Sequence, residues 1–264
     1  MVDSPEAWPF AEAAAYYDAY RPPYAPEALE LVLERFQIGP GVRVLDLGCG
    51  PGTLAIPLAL RGAEVVAVDP DLAMLSEARR LAAERRAGSI RWICARAEDV
   101  LHQVGAVRLV TFGQSLHWMD RDAVLAGLSG IVEDGGGLAI FDEPPGHAES
   151  WGRTAAEIAW GYVGRPARHP MKHPESAHEP SLLRSGCFSR FETHRFGITL
   201  TRNPASILGC IYSGVHTCRS AFGDRIGRFE AELLSALRTI RPSDEFDERA
   251  ETLVLLARKS AAGP

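Results

Sequence analysis

The stretch VLDLGCGPG, from Val44 to Gly52, sets three glycines at alternate positions behind an apolar run. Its reading decides the fold. A dinucleotide-binding turn places G-x-G-x-x-G after its first strand, with an acid about 20 residues further on. Here Gly48, Gly50 and Gly52 alternate, Pro51 interrupts, and Thr53 stands where the last glycine of that pattern belongs. A pyrophosphate needs helix-N-terminal amides presented by the helix-opening glycine, and a ligand without phosphates does not. Two acids fit such a ligand: Asp46 inside the strand end, and Asp69 at the end of the next apolar run, EVVAVD. A carboxylate at Asp69 suits a ribose diol, because it accepts from both hydroxyls.

Outward from the loop the pattern repeats. VRVLDLG, EVVAVD, IRWICAR, VRLVTFG and GGLAIFDE are short apolar runs, and TLAIPLALRG, DLAMLSEARRLAAERR and DRDAVLAGLSGIV carry helical spacing. Asp71 is placed to cap the second of these helices. Strand alternating with helix predicts an α/β fold whose parallel sheet is covered on both faces. Upstream, AEAAAYYDAY and EALELVLERF read as helices on either side of the break RPPYAP.

Downstream, regularity stops at EPPGHAESW, and residues 144–180 are rich in Pro, His, Gly and Trp around one helical stretch, RTAAEIAWGYV. That segment is too long for a bare connection and is expected to be an insertion, a lid or substrate wall. PSLLRSGCF, the strand RFETHRFGITLTR, the helices PASILGCIYSGV and RIGRFEAELLSAL, and the strand ETLVLLAR follow. One domain is expected over 1–264: a helical cap (1–41), a cofactor-binding core (42–143), the insertion (144–180), and a C-terminal part of sheet and helices (181–264).

Composition narrows the partners. The 264 residues carry a formal net charge of −6, with basic residues scattered, so nucleic acid is not the expected partner. The start, MVDSPEAWPF, lacks a basic segment followed by an apolar one, and no run reaches the ~18–20 apolar residues of a membrane span. The five cysteines are dispersed without C-x-x-C pairs. A cytoplasmic protein without a membrane partner is the economical expectation.

These residues resemble the class I S-adenosylmethionine-dependent methyltransferases. VLDLGCGPG is similar to their first motif, VVAVDPDLAML to their second, and ARAEDV to the adenine-contacting stretch after the third strand. The resemblance implies a Rossmann-like fold with a mostly parallel seven-stranded sheet, and S-adenosylmethionine as cofactor. YDAYRPPYAP, GQSLHWMD and LLRSGCF narrow it toward the trans-aconitate methyltransferase-like branch, which acts on small molecules. Carried over by position, Tyr17 and Arg21 reach the methionine end of the cofactor, where a guanidinium forks a carboxylate. Gly48, Gly50 and Gly52 let backbone approach it. Asp69 holds the ribose, Pro70 and Met74 pack near the adenine, Ala97 and Glu98 lie along its edge, and Gln114 sits near the methionine amine.

Plainer readings stand beside these. Asp46 is either a ligand or a cap on the loop amides, Met74 is equally at home in a helix core, and Asp99 reads better as the start of a helix. Transfer from a sulfonium is an in-line displacement, so the protein must align the reactants, exclude water and manage one proton. His117 in SLHW is the candidate base, because it follows the fourth strand at the sheet edge where such folds bind ligands. Trp118 either walls the methyl region, as an aromatic face for a sulfonium, or packs in the core. No metal is expected, and His169, His173 and His178 read as an exposed lid. Asp142 and Glu143 end the fifth strand, while Tyr212, Ser213 and His216 are substrate-side candidates. The expected function is methyl transfer to an oxygen or nitrogen, less readily a carbon, of a small molecule. The alternative is a protein that binds the cofactor without methylating, pericyclase-like or regulatory.

Overall fold

The computed structural model describes residues 12–143, 150–165 and 178–260. In chain order these form α1 (Ala14–Tyr20), α2 (Pro26–Phe36), β1 (Arg43–Leu47), α3 (Ala55–Leu60), β2 (Glu64–Asp69), α4 (Leu72–Glu84), β3 (Ile90–Cys94), α5 (Ala97–Val100), β4 (Val107–Gly113), α6 (Arg121–Leu128) and β5 (Val132–Asp142). There follow α7 (Ser150–Val163), α8 (His178–Ser185), β6 (Phe188–Arg202), α9 (Pro204–Tyr212), α10 (Arg219–Phe222), α11 (Ile226–Ile240) and β7 (Phe246–Lys259).

Local chemistry sets several boundaries. Asp71 caps α4 by accepting from the Ala73 and Met74 amides, and Asp120 caps α6 through the Ala123 amide. Asn203 and Ser206 form a reciprocal capping box at the start of α9. The RPP break ends α1, and Pro26 then opens α2, where its missing N–H costs nothing.

The seven strands lie in the order β3-β2-β1-β4-β5-β7-β6. β1 pairs in parallel with β2 and β4, β2 with β3 and β4 with β5, while β7 runs antiparallel to β5. This is the mostly parallel α/β sheet that the alternation predicted. The chain order reverses direction at β1, so that β1 and β4 flank the crevice where open sheets of this class bind ligands.

The chain divides into two compact units, one of residues 24–144, 170–196 and 252–264, the other of 1–23, 145–169 and 197–251. The core of the former buries Leu45, Leu47, Val66, Val68, Val110, Phe112, Leu138 and Ile140 from the strands against Leu116, Leu125, Leu128 and Leu182. Strands buried on both faces explain why β1, β2 and β4 read as nearly continuous apolar runs. The latter unit has its own core, in which Trp151, Ala155 and Ala159 of α7 pack with Phe229, Leu233 and Leu237 of α11 and with Tyr212 and Phe222.

One expectation is corrected. His178 does not belong to an exposed lid: it begins α8, is 4% exposed, and lies with its Nε2 3.4 Å from Asp142 Oδ2. An apolar face on α8, carried by Leu182 in the core, draws the histidine inward to the carboxylate. His169 and His173 lie outside the described residues.

Candidate cofactor site

The glycine loop leaves β1 and is tied at once to β2. The Gly48 and Cys49 amides both donate to the Val68 carbonyl, at 2.8 and 3.0 Å. The Asp69 carboxylate then accepts from the Gly50 amide (2.8 Å) with one oxygen and from the Asp71 amide (2.9 Å) with the other. All three glycines have positive φ, at 68°, 52° and 89°, yet they differ in what their missing side chains allow. A Cβ at Gly48 would lie 2.5 Å from Ser115 Cβ, and one at Gly52 would lie 2.9 Å from Ile56 Cδ1. At Gly50 it would meet no atom within 4 Å. Gly48 and Gly52 are therefore demanded by the protein's own packing, and Gly50 is the position where bare backbone faces outward beside Asp69.

Asp46 is buried in β1. Its Oδ1 accepts from the Thr111 hydroxyl at 2.8 Å, and its Oδ2 has no hydrogen-bond partner. Burial pushes its carboxyl up to about 7, against the opposing effects of Thr111 and the Ala55 amide. Burial likewise raises Asp69 to about 6, with the Asp71 and Gly50 amides pulling the other way. Two buried acids close to one loop, each costly to ionise alone, fit a ligand that brings hydroxyl donors or positive charge. Asp69 holds the Gly50 amide of the loop, while Asp46 is engaged by Thr111 and by the Ala55 amide at the start of α3.

The remaining candidates in this unit fall along the carboxyl edge of the sheet. Pro70 is half-buried and Met74 is 3% exposed in α4, held inward by the Asp71 cap. Ala97 opens α5 and is buried, while Asp99 is exposed within the same helix. Glu98 accepts from the Asp120 amide at 2.7 Å and pairs with Arg96 at 3.6 Å. Gln114 follows β4 with φ of 52°, an unusual value for a non-glycine residue, and its amide donates to the Phe141 carbonyl. His117 is buried in a 3₁₀ turn beside the half-buried Trp118, with ring centroids 5.6 Å apart.

Tyr17 and Arg21 belong to the other unit. Arg21 lies over the Tyr17 ring at 4.4 Å, and its Nε and Nη2 donate to the Ser213 hydroxyl (3.2 Å) and carbonyl (3.4 Å). Other arginines are differently disposed. Arg202 is buried against Glu248 and the Tyr20 carbonyl, Arg153, Arg165 and Arg195 are exposed, and Arg168 lies outside the described residues. Among the described residues no group of three or more His, Cys, Asp or Glu is placed to hold a metal ion.

Known proteins resemble the chain over the glycine loop and the sheet that carries it. A family model described as "Methyltransferase domain" matches residues 44–136, from β1 into β5. Uncharacterized methyltransferase Mb0092 of Mycobacterium bovis is 32% identical over 171 residues, which span 59% of this chain and 85% of that protein. The chain belongs to the class I S-adenosylmethionine-dependent methyltransferases. Another member, uncharacterized methyltransferase Mb3374 of Mycobacterium bovis, is 32% identical over 63% of this chain, and the match spans 64% of its own length. A solved structure of a type II methyltransferase candidate from Anaeromyxobacter dehalogenans shares the fold, with a TM-score of 0.63 and 23% identity over 91% of this chain and 98% of that one.

Two side chains near the loop went unread in the sequence, and a third, His178, was placed on the wrong side of the fold. Thr111 holds Asp46, Ser115 donates to the Leu47 carbonyl at 2.6 Å, and His178 meets Asp142. Thr111 did carry a signal, as the one hydroxyl in the apolar run VRLVTFG. Ser115 and His178 carried none, since their partners lie 68 and 36 positions away in the chain.

Proposed function

We propose that the protein transfers the methyl group of S-adenosylmethionine to an oxygen or nitrogen, with carbon less favoured, of a small molecule. The observation that carries this reading is the Asp69–Gly50 arrangement, a carboxylate and an outward-facing glycine at the carboxyl ends of adjacent strands. When bound, the cofactor supplies an activated methyl group on a sulfonium. In this reading Asp69 takes the ribose hydroxyls, Gly50 admits the ligand against backbone, and Pro70, Met74 and Ala97 form the adenine wall. Asp46 offers negative charge beneath the loop. Gln114 and Trp118 line the edge beyond β4, and Trp118 presents an aromatic face suited to positive charge.

His117 is the group proposed to take the acceptor's proton. The acidic balance of the chain supports a small acceptor over a nucleic acid. No helix among the described residues is long and apolar enough to cross a membrane. A cytoplasmic setting is part of the same proposal.

Isothermal titration with S-adenosylmethionine, S-adenosylhomocysteine and NADH tests the reading. Binding of the first two without the third is expected, followed by label transfer from methyl-labelled donor to a small-molecule library. Binding of neither adenosyl ligand removes the cofactor assignment. Binding without transfer to any acceptor favours the non-methylating alternative. His117→Ala is expected to lower turnover and leave S-adenosylhomocysteine affinity intact; weakened affinity with full turnover at saturation would make it a cofactor wall.

A further inference from the structure

The turn that carries His117 and Trp118 is tied to its surroundings at three points. At its start the Gln114 amide donates to the Phe141 carbonyl at 3.0 Å. Next, the Ser115 hydroxyl donates to the carbonyl of Leu47, the last residue of β1 before the glycine loop. The Ser115 side chain also fills the space against Gly48, with Met119 Cε on the same glycine. At its end the Asp120 amide donates to Glu98 Oε1 at 2.7 Å, and Asp120 then caps α6.

Glu98 is the anchor that joins this turn to α5. Burial alone would raise its carboxyl, but the Asp120 amide, with the Glu98 amide and Arg96, outweighs that and holds it below the usual range. Its neighbour in α5 is Ala97, the residue proposed above to lie along the adenine. One carboxylate thus connects the adenine side of the site to the end of the turn that holds the proposed base.

We infer that Glu98 is a positioning residue for the His117–Trp118 turn, acting through the Asp120 amide, rather than a ligand of the adenine. The inference rests on the cofactor reading above. Occupancy at α5 then steadies residues 114–120 through Glu98, so that the base and the aromatic face are ordered when the methyl donor is present. A side chain that merely capped α6 would stabilise the fold equally with and without ligand.

The test is amide hydrogen exchange of peptides covering residues 114–120, read with and without S-adenosylhomocysteine, alongside its dissociation constant from calorimetry. In the unaltered protein the ligand is expected to slow exchange there about tenfold, the scale of one hydrogen bond to a charged acceptor. Glu98→Ala is expected to bind within about twofold of the parent, far less than losing such a bond to the ligand itself would cost. The slowing at 114–120 is expected to be lost. Glu98→Gln retains a carbonyl oxygen for the Asp120 amide and is expected to restore most of it.

Slowing that persists in Glu98→Ala overturns the inference. So does a tenfold or greater loss of affinity in that variant, which would return Glu98 to the adenine edge. If the unaltered protein fails to bind S-adenosylhomocysteine, the cofactor reading falls first and the inference with it. That outcome is distinct, because it appears before any substitution is made.

Discussion

The Asp69 carboxylate accepts the Gly50 amide at 2.8 Å, across the gap between the end of β2 and the loop after β1. Its other oxygen holds the Asp71 amide at 2.9 Å, so one side chain shapes both the glycine loop and the start of α4. A carboxylate oxygen has two acceptor sites, and each oxygen of Asp69 therefore keeps one for a ligand hydroxyl. Asp69→Ala is expected to weaken S-adenosylhomocysteine binding by about 1–3 kcal/mol, the scale of a lost charge-assisted hydrogen bond. Calorimetry checks this, and unchanged affinity removes Asp69 from the ribose site.

Acid titration follows from the same geometry. Burial holds Asp46 at about 7 and Asp69 at about 6, both above the unfolded carboxyl near ~3.9. A carboxyl raised in the folded state binds more protons folded than unfolded. Its stabilising contribution is complete below the unfolded value and is lost as pH rises through about 6 to 7. The melting temperature of the ligand-free protein is therefore expected to fall between about pH 4 and pH 7 and to level off above that. Asp46→Asn, which keeps an oxygen for Thr111, is expected to flatten that fall. Parallel pH profiles for the two proteins would show that Asp46 does not titrate in this window.

The glycines separate packing from ligand access. Gly50→Ala meets only its backbone strain at φ of 52° and is expected to cost roughly 1–2 kcal/mol of stability. Gly48→Ala must also displace Ser115, 2.5 Å from the new Cβ, so it is expected to destabilise more. Relative to its effect on stability, Gly50→Ala should weaken S-adenosylhomocysteine binding the more of the two. Urea denaturation together with calorimetry reads both quantities. The reverse ranking in stability defeats the packing argument.

Asp142 and His178 test the core beneath the carboxyl edge. Their pair is buried, and Asp142 also offers negative charge to the buried Arg121, whose Nη1 donates to the Ser181 hydroxyl at 3.3 Å. Removing Asp142 takes that negative charge away from the buried Arg121 guanidinium. Asp142→Ala is expected to cost about 3–5 kcal/mol in urea unfolding. A loss below about 1 kcal/mol, the scale of an exposed ion pair, would show that water reaches the cluster.

Much of this site was legible in the residues themselves. The spacing of Gly48, Gly50 and Gly52 behind β1, the acid closing β2, and the alternation of strands and helices are local patterns. Each reflects a backbone requirement met within a few positions. Asp71 as the cap of α4 was readable for the same reason, since its partners are the next amides along. Glu98 shows the limit. Its motif points to the adenine, while its carboxylate is engaged by an amide 22 positions away.

The sequence by itself determined the α/β class, the glycine loop after β1 and the family. These rest on periodicity and on short-range backbone geometry, which the chain encodes contiguously. Only the tertiary structure decided that Gly48 and Gly52 serve packing whereas Gly50 faces outward. It alone buried His178 against Asp142, and it brought Ser115 and Asp120 to their anchors on Leu47 and Glu98. Those outcomes depend on which distant side chains share a space once the sheet has formed. No spacing along the chain encodes a hydrogen bond between residues that meet only after folding.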